Sequence, residues 1–172
     1  MGFLPGGTSE WPDAGFPGIR INPDSLVPQI VNEDAVAEAL AASTDPGDRI
    51  FVLLVKGHPA DAAELLAEAR YTDPSSLRLR IFEADVLRVS NRLDRAVELF
   101  RQLLAETRGT PDEAVIREHL GRSYFASGNI AAAVESFTQA LDLRVAGSAD
   151  AALIYASTVA VQRARDELDR TS

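Results

Sequence analysis

Two histidines and no cysteine stand among the 172 residues of the chain, which excludes thiol nucleophiles, disulfides and cysteine-ligated metals. His58 falls in a turn signal directly before Pro59 and reads as a turn or cap residue. His119 follows Glu118, but no second histidine stands at metal-binding spacing on a helix. Ser123 lies four residues after His119 on the same helical face, with no acid placed to orient the pair. Gly6-Gly7-Thr8 lacks the lysine and the preceding strand of a phosphate loop. The 26 acidic residues fall mostly on polar helix faces, where solvation explains them. No catalytic, cofactor-binding or metal-ligating set emerges, so the chain reads as a non-enzyme without a cofactor.

The charge balance narrows the partners. Seventeen Lys and Arg against 26 Asp and Glu give a net charge of -9, the wrong sign for nucleic acid or an anionic membrane surface. Lys56 is the single lysine, an arginine bias that suggests a GC-rich bacterial genome. The opening MGFLPGGTSEWPD has no positive region followed by an apolar run, and Gly6 stands where a myristoylation signal wants Ser or Thr. The longest apolar stretches, 50–55 and 151–161, fall short of the roughly 20 residues of a membrane helix. The expected setting is cytoplasmic, and the expected partners are proteins or peptides.

The elements that must position any binding residues divide into an arm and a helical body. Residues 1–28 hold five glycines and five prolines, which disfavour helix and central strand. The same stretch carries Phe3, Leu4, Trp11, Phe16, Ile19, Ile21, Leu26 and Val27, too apolar for a solvated linker. Residues 1–31 are therefore expected to form an extended arm that docks on another surface, with the first ten frayed. Residues 32–172 read as a helical repeat domain, with helices over 33–43, 46–56, 59–71, 74–90, 92–107, 111–127, 130–144 and 149–168. Pro46, Pro59, Pro74 and Pro111 each suit a first helical turn, with Asp45 and Asp73 as N-caps and Thr110 to Glu113 at capping-box spacing. Gly57, Gly109, Gly128 and Gly147 read as helix stops. No segment alternates with period two for long enough to demand a strand.

The helices repeat in pairs. With Gly57, Asn91 and Gly128 aligned as inter-helix turns, Ala62, Ala96 and Ala133 follow five residues later. Leu66, Phe100 and Phe137 come next, then Ala69, Leu103 and Ala140. The first two turns are 34 residues apart and the next two 37, which places an insertion of three residues near 108–110. A small-large-small stripe on every second helix lets its partner approach closely while the large side chain fills the groove between pairs.

On these residues the chain resembles the tetratricopeptide repeat family, whose unit is a helix–turn–helix of about 34 residues. The unit at 114–147 carries the pattern most fully, with Leu120, Gly121 and Tyr124 on its first helix and Ala133, Phe137 and Ala140 on its second. The unit at 77–110 keeps Ala84, Ala96 and Phe100, and the unit at 43–76 keeps Ala62, Ala69 and the closing Pro74. The resemblance implies an all-α solenoid of about three repeats with a terminal helix over 148–168, serving as a protein-binding scaffold. It also implies a concave groove lined by the first helix of each pair. Carried over, that groove shows Phe82, Asp85 and Arg88 from the second unit and Glu118, His119, Arg122 and Phe125 from the third. Phe51 and Ile81 lie in the same register but read first as contacts to a neighbouring helix. The positions where some members clamp a terminal carboxylate hold Gly47, Phe51, Phe82, Val115 and His119, none of them Lys, Arg or Asn. The groove is expected to be apolar, with Arg88 and Arg122 as charge contacts for an acidic flank.

The terminal helix poses a separate question. Residues 149–161, ADAALIYASTVAV, are apolar nearly all round, whereas a solenoid end normally shows a polar outer face. Ile154 and Tyr155 face a helix the chain does not supply, and a homodimer through this end is the expected cover, ahead of the N-terminal arm.

Overall fold

Three identical turn geometries set the frame. Gly57, Asn91 and Gly128 all adopt left-handed backbone, with φ of 79°, 61° and 83°. At each turn the N–H one residue further on donates to a carbonyl five residues back: His58 to Leu53, Arg92 to Leu87 and Asn129 to Tyr124. These are Schellman closures, which satisfy the last carbonyls of a helix while reversing the chain. A fourth of the same kind follows the last repeat, with Ser148 at φ 53° and Ala149 N–H donating to Arg144.

The computed structural model describes residues 7–172; Phe3, Leu4 and the Gly6 of the Gly-Gly-Thr stretch lie outside the described residues. Eight helices follow one another among the described residues: α1 (Glu33–Ala42), α2 (Pro46–Val55), α3 (Pro59–Thr72), α4 (Leu77–Val89), α5 (Leu93–Thr107), α6 (Glu113–Ala126), α7 (Ile130–Ala146) and α8 (Ala151–Thr171). The pairs α2/α3, α4/α5 and α6/α7 stack in order, and α8 packs on α7. Pro46 sits in a first helical turn behind the Asp45 carboxylate, which accepts the Gly47 N–H at 2.9 Å.

Two expected starts fall later. Pro74 precedes a helix that begins at Leu77, because the Ser76 hydroxyl takes the cap and accepts from Leu79 N–H. Asp73 closes α3 instead of opening α4. Pro111 likewise precedes α6, since the Thr110 hydroxyl donates to the Thr107 carbonyl and accepts the Asp112 N–H. The expected capping box is displaced by one residue: Glu113 accepts from the N–H of Gly109, not of Thr110.

The repeat stripe is the core. Ala62, Ala96 and Ala133 are fully buried, as are Phe100 and Phe137. A methyl group on Gly121 would lie 2.6 Å from the Phe137 ring, so this glycine is where α6 and α7 meet. The equivalent pairs are Ala84 with Phe100 and Ile50 with Leu66, each pair buried in one cluster. Where the first-helix residue is Gly or Ala its partner is Phe, and where it is the larger Ile the partner is Leu.

The arm differs from the expectation of a strand-free extended segment. It folds into an antiparallel meander of β1 (Asp13–Phe16), β2 (Ile19–Ile21) and β3 (Pro28–Ile30), in that order. Ile19 pairs with Ile30 and Ile21 with Pro28, while Asp13 opposes Arg20 across a register shift. Alternation was invisible because each strand is only three or four residues long. The turn at Pro17-Gly18 needs its glycine twice over: φ is 81°, and a Cβ there would lie 2.4 Å from the Asn32 carbonyl oxygen.

Candidate binding site on the concave face

The meander is seated on α1, α2 and α8, and Leu26 reaches from it into the main core. Phe16 and Ile19 pack with Val36 of α1 and Val52 of α2. The Phe51 ring stands between Phe16, at 6.3 Å, and Phe82, at 6.4 Å. Leu26 joins the main core beside Ile81, Ala160, Val161 and Ala164. It does so with left-handed backbone at φ 60°, a conformation that a leucine holds only when burial compensates it. Two long-range hydrogen bonds fasten the seat: Tyr155 Oη donates to the Glu10 carbonyl at 2.7 Å, and Arg163 Nε donates to the Asp24 carbonyl at 2.8 Å.

Beneath the meander lies a cluster of charges. Asp85 of α4 is buried and pairs with Arg88 at 3.2 Å, while His119 Nδ1 of α6 stands 3.5 Å from the same oxygen. Burial pushes the Asp85 carboxyl up, but attraction from His119, Arg88 and Arg122 outweighs it and holds the group down to about 2. Glu118, also buried, accepts the Ser157 hydroxyl at 2.8 Å and pairs with Arg144 at 3.4 Å and Arg122 at 3.9 Å. Arg144 Nη1 also donates to Ser157 Oγ at 2.7 Å and to the Leu153 carbonyl. Burial lowers the proton affinity of both Arg122 and Arg144, and Glu118 opposes it at each. Four helices, α4, α6, α7 and α8, thus contribute to one network.

Of the expected groove residues, Asp85, Arg88, His119 and Arg122 come together here. Phe82 does not lie open: it is buried among α2 and α3 side chains, with Arg78 5.2 Å over its ring. Phe125 is partly buried, with the Arg163 guanidinium 5.3 Å from its ring centre. Apolar and charged side chains share this face, and the chain's own meander lies over it. Tyr155 spends its hydroxyl on the arm, and Ile154 is partly buried beside it. Arg144 and Ser157 escaped the sequence reading. One signal was present: Arg144 continues the buried stripe four residues after Ala140, where an apolar side chain is the norm.

The remaining chemistry-bearing residues are structural. The Ser123 hydroxyl donates to the backbone carbonyl of His119 and not to its imidazole. His58 occupies the N-cap position of α3 without a side-chain cap bond. Among the described residues no three His, Asp or Glu side chains could hold a metal ion. No described helix is long and apolar enough to cross a membrane.

Two models of the tetratricopeptide repeat match the chain, one over residues 53–115 and the other over 119–170. The chain belongs to the tetratricopeptide repeat family. No curated protein and no solved structure is significantly similar to it. Tetratricopeptide repeats generally mediate protein–protein interaction and are typically non-catalytic.

Proposed function

We propose that the protein is a non-enzymatic adaptor that takes a segment of a partner protein or peptide on its concave face. Phe82, Asp85, Arg88, His119, Arg122 and Phe125 are the contact surface in this reading. The observation that supports it is the seated meander itself. The face already accepts a short, extended, apolar segment, fastened through Leu26 and two hydrogen bonds to backbone carbonyls. The meander stands in for the partner and must yield for Phe82 and Asp85 to be reached. A partner that displaces it has its affinity scaled down by the fraction of time the face is uncovered.

The test compares the parent with Leu26→Asp, which loosens the seat, each carrying a photo-cross-linker at position 125. The expected result is a partner cross-linked from an extract of the source cell, with a higher yield for Leu26→Asp. Equal yields, or none from either bait, overturn the reading.

One feature favours a second reading, a self-associating homodimer. Leu153 and Tyr155 are 45% and 46% exposed on α8, beside Ile154. Changing Ile154 and Tyr155 to Glu then lowers the mass in solution to that of one chain. A parent that is already monomeric rules this reading out.

A further inference from the structure

The buried charges of the concave face border a cavity. It measures about 300 Å³ and lies between the meander and helices α2, α4, α6 and α8. Its walls are apolar on both sides: Phe16 and Ile21 from the meander, and Phe51, Phe82 and Leu153 from the helices. Arg122, Arg144, His119 and Asp85 form its polar corner.

The polar corner is crowded with charge: Arg88, Arg122 and Arg144 stand against Asp85 and Glu118, and Asp13 adds a third carboxylate at the rim. The chain as a whole carries -9. Asp13 and Arg78 also line the cavity. Arg78 bridges Asp45 and Asp48, and exposed Asp13 at the rim accepts the Gly15 N–H. Within the cluster, Arg88 holds Asp85, while Arg144 and Ser157 share Glu118 Oε1.

Arg122 is left over. Its contact with Glu118 is 3.9 Å long, and it makes no hydrogen bond among the described residues, although its side chain is only 15% exposed. A guanidinium presents five N–H donors in a planar fork, and those of Arg122 border the cavity with no protein acceptor in hydrogen-bond range among the described residues. The group that completes this site brings one negative charge and two acceptor oxygens in a plane. The walls around it call for an apolar body.

We infer that this cavity binds a small organic monocarboxylate, with the carboxylate clasped by Arg122 and the apolar body lying between Phe16 of the meander and Phe82 of α4. An apolar cavity of about 150 Å³ already admits benzene, so there is room for a small aromatic or branched aliphatic acid. The ligand sits beneath the seated meander and not in its place, so it shares Phe82, Asp85, His119 and Arg122 with the adaptor surface but does not require the meander to leave. Because it touches both the meander and the helices, it holds the meander down.

The experiment titrates the full chain with benzoate and 3-methylbutanoate, and in parallel with their uncharged amides and inorganic phosphate. Calorimetry and methyl NMR of Ile21, Ile81 and Leu153 provide the readouts. The expected result is saturable binding of the acids, with the amides weaker by about tenfold or more, as the loss of a charge-assisted hydrogen bond requires. Arg122→Gln loses acid binding to the same degree while far-UV circular dichroism stays unchanged. If that variant does not fold, the comparison of acid with amide on the parent decides alone. Equal binding of acid and amide, no saturable binding of either acid, or an Arg122→Gln protein that binds like the parent overturns the inference. Phosphate competing as well as the acids also overturns it, because the site would then read charge without an apolar body.

Discussion

Asp85 is buried, ionised and placed between Arg88 and His119, so its proton affinity reports on the whole cluster. Its carboxyl is held at about 2, below the ordinary 3.8. A carboxyl lowered in the folded state favours folding above its unfolded value, and that contribution disappears as pH falls through the folded one. For Asp85 the window runs from about 4 down to about 2 and is worth about 2 kcal/mol. Asp48, hydrogen-bonded by Ser43 and Arg78, and Glu113, hydrogen-bonded by Gly109 N–H and Arg117, are lowered too and act in the same direction. The expected outcome is a parent that loses stability steeply below pH 4, measured by urea unfolding across the acid range. Asp85→Asn leaves Arg88 without its counter-charge and costs roughly 3 kcal/mol at neutral pH. Its acid slope should also be shallower by one carboxylate. A variant that keeps the parent's slope would show that Asp85 is not the group held down.

At the scale of the helix, the small residues of the stripe set how closely paired helices approach. Ala133 is fully buried on α7, where that helix packs on α6. Ala133→Leu forces the pair apart and should cost roughly 1–3 kcal/mol of unfolding free energy. A variant that melts like the parent would contradict the register. Gly121→Ala pushes a methyl group into the Phe137 ring across the same contact and should cost a similar roughly 1–3 kcal/mol. The first repeat suggests the remedy, since there Ile50 faces a cluster in which Leu66 replaces the aromatic. Combining Gly121→Ala with Phe137→Leu should therefore cost less than the two changes summed, a coupling of about 0.5 kcal/mol or more in a double-mutant cycle. Strict additivity would mean that the two residues do not share the space.

The whole molecule depends on whether the meander stays seated. Leu26 is the meander residue that joins the main core, in one cluster with Ile81, Val161 and Ala164. Leu26→Asp places a charge in that cluster and should release the strands while leaving the repeat helices folded. Amides of Ile21 and Val31, protected in the parent by bonds to the Pro12 and Gly18 carbonyls, should then exchange rapidly, with helical circular dichroism little changed. Fast exchange of these amides in the parent would refute docking. Slow exchange in the variant would show that Leu26 is not the anchor.

Local information was legible in the residues themselves. The eight helices, the aligned turns at Gly57, Asn91 and Gly128, and the stripe through Ala133 and Phe137 all depend on contacts within a turn or two of the chain. Such contacts leave a period, a cap or a glycine where one can be read. Asp85, Arg88, His119 and Arg122 were also placed on one face, because the repeat register carries them there. The strands were not legible, since three residues of alternation say nothing until α1 and α2 supply a surface to bury Phe16 and Ile19. Nor was the linking of Glu118 to Arg144 and Ser157, which are 26 and 39 residues away from it along the chain. Only the stacking of α6, α7 and α8 brings those side chains within reach. The same stacking, with the meander laid over it, decides that Arg122 ends largely buried, without a hydrogen bond among the described residues, at the polar corner of the cavity.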